Sequence, residues 1–289
     1  MPPAAPKAAR RLRRAGRLPL HLVLMLLCGL WLVPLLALFI SSFRSAYDIS
    51  TTGWWKAIET PGSLHTDNYR QVLEANGFGV ALGNSILIAV PAVAVMSMVG
   101  AVAAYALARF GFPGARLLLV GFVVLLAVPV QMTLVPVLRV YNATGLTGTF
   151  IGIWLVHLGF GLPFAIYLLR SFFASLPAEL FEAAEMDGAS ALSAFLRVAV
   201  PVSRPALASV AIFQFIWVWN DLLIALIFLG GDPTVAPLTV AVGNLVSAST
   251  GQGWHLLTAA AFVSMAVPMV LFFALQRHFV RGLLAGSGK

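Results

Sequence analysis

The chain has 289 residues, of which 60% are hydrophobic and only 10% charged, and its mean hydropathy is +0.95. A soluble globular domain carries about 25% charged residues, so a water-facing fold is excluded and a membrane-embedded one is required. The formal net charge of +8 lies mostly beside membrane-length runs, where it orients the chain and attracts anionic headgroups, so membrane lipid is expected as a partner and nucleic acid is not.

A basic tail, residues 1–20, comes first. Six runs then have the length to cross a bilayer, at 22–40, 85–108, 117–138, 150–169, 206–229 and 256–275. About 20 helical residues rising about 1.5 Å each cross about 30 Å of hydrocarbon. They predict an all-α polytopic membrane protein, with six transmembrane helices in one domain over 21–280 and a short tail at 281–289. The first run is longer than a signal-peptide core of about 7–15 residues and lacks a small-residue cleavage site, so a retained helix is expected. Cys28 lies inside it and offers neither a disulfide framework nor a cysteine metal site. Pro129 and Pro136 interrupt the third run, which a bundle tolerates when neighbours satisfy the freed carbonyls.

The basic residues set the orientation. Lys7, Arg10, Arg11, Arg13, Arg14 and Arg17 precede the first run, Arg109 and Arg116 follow the second, Arg170 precedes the loop 171–204 and Arg197 and Arg204 lie in it, and Arg277, Arg281 and Lys289 end the chain. Only Arg44, Lys56, Arg70 and Arg139 fall on the opposite side. Cytoplasmic loops hold the excess of Lys and Arg, so both termini and the 171–204 loop are expected in the cytosol. The outer segment 41–84 reads as a small cap with Trp54, Trp55 and Tyr69 at the interface, and the segments 139–149 and 230–255 are too short for a folded domain. Gly100, Ala104 and Ala108 form a small-residue stripe of the kind that lets helices approach closely.

The 171–204 loop is the exception in an apolar chain, because Glu179, Glu182, Glu185 and Asp187 crowd together there. Ser175 is placed to cap a short helix over 176–186 with Pro177 in its first turn and Glu179 near the positive end of its dipole. Leu176, Leu180, Ala183 and Ala184 would share one side. Gly188 supplies the left-handed conformation that ends a helix. Ser190 then caps a second helix through Phe195 to Val198, and Pro201 and Pro205 mark the start of the fifth span.

Glu182, Ala183, Ala184, Asp187, Gly188, Ala189, Phe195, Val198, Pro201 and Pro205 resemble the "EAA" loop of permease subunits of binding-protein-dependent ABC importers, with Val200 where Leu is usual. "HTDNYRQVL", "NSILIA", "AAYALARFGFPG", "WNDLLIALIFL" and "LQRHFVRGLLAG" are similar to the carbohydrate branch, the second membrane subunit of maltose-type importers, with Asp221 where Glu is expected. The resemblance covers most of the chain from residue 65 and implies a type I importer permease bundle in a bacterial-type cytoplasmic (inner) membrane. It implies as partners a second permease in a heterodimer, two ATPase subunits that bind ATP and Mg, and an extracytoplasmic solute-binding protein. The loop would dock in a cleft of an ATPase, with Glu182 as polar contact, Ala183 and Ala184 allowing close approach, Gly188 setting the bend and with Asp187 fixing its shape, and Ala189, Phe195 and Pro201 completing the motif.

The sequence has no G-x-x-x-x-G-K-[ST] phosphate loop and no close His, Cys and carboxylate cluster for a metal, so no cofactor, metal or catalytic residue is expected in this chain. Gln131, His157, Asn220 and Asp221 punctuate the spans and are candidates for the substrate pathway. A hydrogen bond locking two helices explains Asp221, and core packing explains His157, equally simply. An ion-coupled carrier would show several buried ionisable residues, where only Asp221 qualifies. A membrane enzyme would need a convergent reactive set, which is missing. An ABC permease for a non-sugar solute stays open.

Overall fold

The computed structural model describes residues 18–75, 77–248 and 253–287. The basic tail through Arg17, and Lys289, lie outside the described residues. All regular structure among the described residues is helical. The chain divides into two compact units, residues 1–72 with 249–262 and residues 73–248 with 263–289.

The first unit contains α1 (Leu18–Ser41), two short helices, α2 (Ala46–Thr51) and α3 (Lys56–Glu59), and the start of α4 (Asp67–Ala75). Ser45 caps α2 by accepting from the Asp48 N–H. The buried Arg44 guanidinium donates to the carbonyls of Asp48 and Thr52 at its other end. Asn68 donates to the carbonyls of Ser42 and Arg44, and the Tyr69 hydroxyl meets Ser42 Oγ at 2.6 Å. Tyr69, expected as an interfacial ring, is instead a fastener of the cap. Trp55 is 57% exposed, as an interfacial ring would be.

The second unit is built on α5 (Phe78–Arg109) and α8 (Phe150–Ser175), which share the most extensive helix contact. Small residues make that approach possible. A Cβ on Gly100 would stand 2.9 Å from the Ala165 Cβ, and one on Gly161 would collide with Met96 Sδ. Both helices carry a proline, and at Pro91 the backbone is repaired across the interface. Pro91 cannot bond the Leu87 carbonyl four residues back, and the Trp154 indole of α8 donates to it at 2.9 Å. The same device recurs where α11 (Arg204–Trp219) meets α14 (Trp254–Ser287). There Pro268 frees the Ser264 carbonyl, and Trp219 Nε1 supplies the missing donor at 3.0 Å.

Two of the expected spans are broken. The third becomes α6 (Ala115–Ala127) and α7 (Val130–Thr144), bent by 103° at Val128 and Pro129. The residue before a proline is pushed to extended backbone, and Val128 has ψ 120. The expected run 206–229 stops at Trp219 and restarts as α12 (Leu223–Leu229), because Asn220 and Asp221 hydrogen-bond the local backbone in place of continuing the helix. Among the described residues four helices are each long and apolar enough to cross a membrane, and two bent pairs, α6 with α7 and 191–202 with α11, raise the number to six if each is one span. The segment 230–255 is also less plain than expected, since it contains α13 (Leu238–Ala248). Ser85 Oγ accepts the Leu238 N–H at 2.7 Å, while Asn84 donates to the carbonyls of Thr234 and Ala236. In the turn before it, the Thr234 N–H and hydroxyl both donate to the Asp232 carboxylate and hold its pKa below the usual range.

The proline repair has a measurable consequence. Trp219→Phe leaves the Ser264 carbonyl without its donor and is expected to cost about 1–3 kcal/mol, seen as a lower thermal unfolding temperature of the purified transporter in detergent. Pro268→Ala returns a backbone N–H to that carbonyl, so the double variant should recover part of the loss.

Candidate functional site

The acidic loop begins at the end of α8. Ser175 is the last residue of that helix and donates to the Phe172 carbonyl. It therefore does not cap the next helix, contrary to the expectation from its position before Pro177. α9 spans Glu179–Met186, shorter than the expected 176–186, because Leu176 is extended and Ala178 opens the helix without a side-chain cap. Its stop is the one the sequence called for. Gly188 has φ +78, its N–H bonds the Glu185 carbonyl, and the Ala189 N–H bonds the Ala184 carbonyl, which is a complete Schellman closure. Ser190 then accepts the Ser193 N–H and opens α10 (Ala191–Ala194). The chain widens into a π-turn over Phe195–Ala199, where the Val200 N–H reaches the Phe195 carbonyl, before α11 begins.

Of the side that periodicity suggested, Leu176 and Ala184 pack on the core and Leu180 and Ala183 do not. Phe181 is 6% exposed, whereas Leu180 is 39% exposed and Ala183 faces outward. Eight residues are too few for a period of 3.6 to separate adjacent faces, and the larger ring takes the core. Phe181 enters an aromatic knot centred on Tyr105 of α5. The Tyr105 ring packs on Phe173, Phe181 and Phe195 at centroid separations of 5.8, 6.0 and 5.0 Å. The Arg109 guanidinium lies 3.5 Å over the outer face of Phe181, a cation–π contact. It also stands 3.5 and 3.4 Å from the carbonyls of Leu176 and Pro177 at the end of α8. Arg109 and Phe181 were not among the candidate residues; the signal was a lone Arg at the end of a span and a Phe inside an acidic helix.

Around this anchor the predicted residues separate. Glu179, Glu182, Ala183 and Glu185 are exposed on α9, and Met186 is 89% exposed at its tip. Ala184, Asp187, Gly188 and Ala189 line a concavity of 460 Å³ together with Arg197 and Val198. Phe195 is buried in the knot, and Pro201 is half-buried in the turn Val200–Val202.

A second concavity, of 570 Å³, lies within the membrane-embedded part between α7, α8 and α11 at the 103° bend. Tyr141, Phe160, Phe164, Phe213 and Trp217 supply aromatic walls, and Gln214 supplies a buried amide whose Nε2 is held by the Gly161 carbonyl at 2.8 Å. None of Gln131, His157, Asn220 and Asp221 lines it. Gln131 is exposed, and Asn220 donates to the Ile216 carbonyl. His157 is 1% exposed and faces Asp221, which caps α12 through the N–H groups of Ile224 and Ala225. The residues that do line the cavity were hidden in uniformly apolar runs, where Gln214 was the only polar mark between Ser209 and Asn220.

Residues 96–284 match the family of binding-protein-dependent transport system inner membrane components. The chain belongs to this family. It is 52% identical to the osmoprotective compounds uptake permease protein GgtD of Synechocystis sp., over 94% of this chain and 92% of that protein. It is 51% identical to the alpha-glucoside transport system permease protein AglG of Rhizobium meliloti, over 80% of this chain and 62% of that protein. A crystal structure of a bacterial ABC transporter that imports the acidic polysaccharide alginate contains a chain of the same fold, with a TM-score of 0.72 at 23% identity over 96% of this chain and 99% of that one. The protein is thus a membrane-embedded permease subunit of a binding-protein-dependent importer, a transport component that works with other transporter subunits.

If the knot holds the loop to the bundle, Phe181→Ala and Arg109→Ala should each speed amide exchange across 179–186 by about tenfold or more, as local opening becomes cheaper. Hydrogen–deuterium exchange on the assembled transporter reads this directly.

Proposed function

We propose that this chain forms half of a heterodimeric pathway for a sugar, an oligosaccharide or a related glycoside, and that its acidic loop receives the stroke of a separate ATPase. The observation that carries the coupling role is the combination of an exposed carboxylate face with a buried aromatic root. Glu182 and Met186 project outward, while Phe181 and Phe195 of the same loop are set among Tyr105 and Phe173 of the long helices. A groove on an ATPase can grip such a helix, and force applied to it reaches α5 and α8 through packed rings. On this reading both termini and the loop face the cytosol, ATP and Mg bind to the partner ATPases, and a solute-binding protein delivers solute from the other side.

The carbohydrate assignment is supported by the alpha-glucoside system named for AglG and by the chemistry of the larger cavity. Aromatic faces pack against the C–H faces of pyranose rings, and a few placed polar groups orient the ligand. Trp217 and Gln214 are the side chains best suited to those two tasks. On this reading the cavity walls carry the pathway, His157 being buried and Asp221 engaged by the N–H groups of Ile224 and Ala225.

Reconstitution of the permease pair, ATPases and binding protein in proteoliposomes tests both parts. Glu182→Arg should leave insertion intact and reduce binding-protein-stimulated ATP hydrolysis about tenfold or more, as loss of a contact at an interface centre does. A Cβ on Gly188 meets nothing within 4 Å, so Gly188→Ala carries only the left-handed backbone penalty of about 1–2 kcal/mol, and Gly188→Val should couple worse. Trp217→Ala should raise the KM for an α-glucoside while sparing the basal ATPase. Normal coupling in Glu182→Arg would contradict the loop's role.

A further inference from the structure

We propose that the backbone carbonyl of Gly159, left without its helix donor by Pro163, is the acceptor in the cavity wall for a hydroxyl group of an uncharged solute. The inference rests on the reading of the 570 Å³ cavity as part of the pathway, and it adds to that reading a polar contact that no side chain supplies.

Pro163 lies inside α8, and a proline has no N–H to give the carbonyl four residues back, which is that of Gly159. At Pro91 and Pro268 the same gap is filled by an indole, Trp154 on the Leu87 carbonyl and Trp219 on the Ser264 carbonyl. At Pro163 it is left open. Among the described residues no side chain donates to the Gly159 carbonyl. The amide in the same wall, that of Gln214, gives its Nε2 to the Gly161 carbonyl instead. The Thr133 hydroxyl, also in the lining, is turned to its own helix and donates to the Val130 carbonyl at 2.7 Å.

Gly159 and Pro163 both line the cavity. They are one helical turn apart on one face, so the freed carbonyl stands on that face between them. The glycine leaves it uncovered. Gly159 is exposed, and a Cβ added there would meet nothing within 4 Å, so cavity space reaches the main chain itself. Gly100 and Gly161 differ, since their missing Cβ atoms make room for Ala165 and Met96. Packing therefore accounts for Gly100 and Gly161 but not for Gly159, although a glycine inside a helix weakens it relative to alanine.

The lining decides what binds there. None of its residues is Asp, Glu, Lys, Arg or His, so a carboxylate, a phosphate or an ammonium group would be stripped of water with no counter-charge beside it. A carbonyl accepts and cannot donate, so its partner must bring the hydrogen. A neutral hydroxyl of a glycoside or polyol meets both conditions, and Trp217 in the same wall offers a ring face to the carbon skeleton that bears it.

The complete importer with its binding protein, reconstituted in proteoliposomes, tests this with methyl α-glucoside, maltose or trehalose, whichever wild type imports fastest. Analogues of that sugar in which fluorine replaces one hydroxyl at a time keep the size of the group and cannot donate. Pro163→Ala returns an N–H to the Gly159 carbonyl. Its kcat/KM for the sugar should fall about three- to tenfold, the range of one hydrogen bond, while the thermal unfolding temperature holds or rises. At least one analogue should lose a similar factor in wild type and no further factor in Pro163→Ala, because both changes remove the same bond. The binding protein is common to both proteins and cancels in their ratio. Gly159→Ala keeps the proline and puts a methyl group into the cavity beside the carbonyl. It too should lower kcat/KM without lowering the unfolding temperature, and it decides the matter if Pro163→Ala fails to assemble. Wild-type kcat/KM in both variants, or analogue penalties that are the same in wild type and Pro163→Ala, would overturn the inference and leave the carbohydrate reading in place. Wild type that imports none of the three sugars would count against the carbohydrate reading and, since the proposed partner is a neutral hydroxyl, against the inference with it.

Discussion

The packing of four aromatic rings, Tyr105, Phe173, Phe181 and Phe195, is the contact on which the rest of the molecule's action depends. Each ring comes from a different stretch of chain, two from the long helices α5 and α8 and two from the acidic loop. Remove it, and the loop is an amphipathic hairpin attached at its ends. With it in place, α9 is packed into the same core as α5 and α8, and interiors at crystal-like density transmit strain in place of absorbing it. Arg109 closes the knot from outside by covering Phe181. An arginine that ends a membrane-length helix therefore also secures the short acidic helix beyond it.

The membrane-embedded part shows a division between helices that are repaired and helices that are broken. Pro91 and Pro268 remove backbone donors from α5 and α14, and Trp154 and Trp219 replace them, so those helices continue unbroken. Val128, Pro129 and Asn220 to Leu222 instead interrupt their spans. Irregular backbone at membrane depth is tolerated where it is buried in protein or lines a cavity. The first break does border the aromatic cavity, and the second is closed over the His157 and Asp221 pair. The straight elements thus frame the aromatic cavity, and the first interruption shapes it.

Much of this was legible in the sequence where one residue has few physical alternatives. Gly188 announced a left-handed stop, Ser190 a cap, and Gly100 and Ala104 a close helix contact, because each follows from local geometry. Phe181 was missed because periodicity over eight residues cannot tell neighbouring faces apart. Ser175 was misread because a capping side chain can equally bond back to its own helix. Pro129 signalled an interruption, but the size of a bend depends on what packs against it. The cavity walls left almost no trace, since a Trp or Phe that faces a pathway and one that faces lipid look alike within an apolar run. His157 and Asp221 were visible as polar residues, but that they face one another is a tertiary fact no local pattern carries.

The most direct measurement of the central claim is a pair of spin-label distances in the assembled importer, taken with and without ATP. One label sits at Met186, exposed at the tip of α9, and its mate either at Ser171, exposed on α8, or on a partner ATPase. The account predicts one narrow Met186 to Ser171 distance that does not change between states, while the distances from each of these sites to points outside the body shift together. A Met186 to Ser171 distance that broadens or changes on ATP binding would show that the loop moves independently of the bundle, and would contradict it.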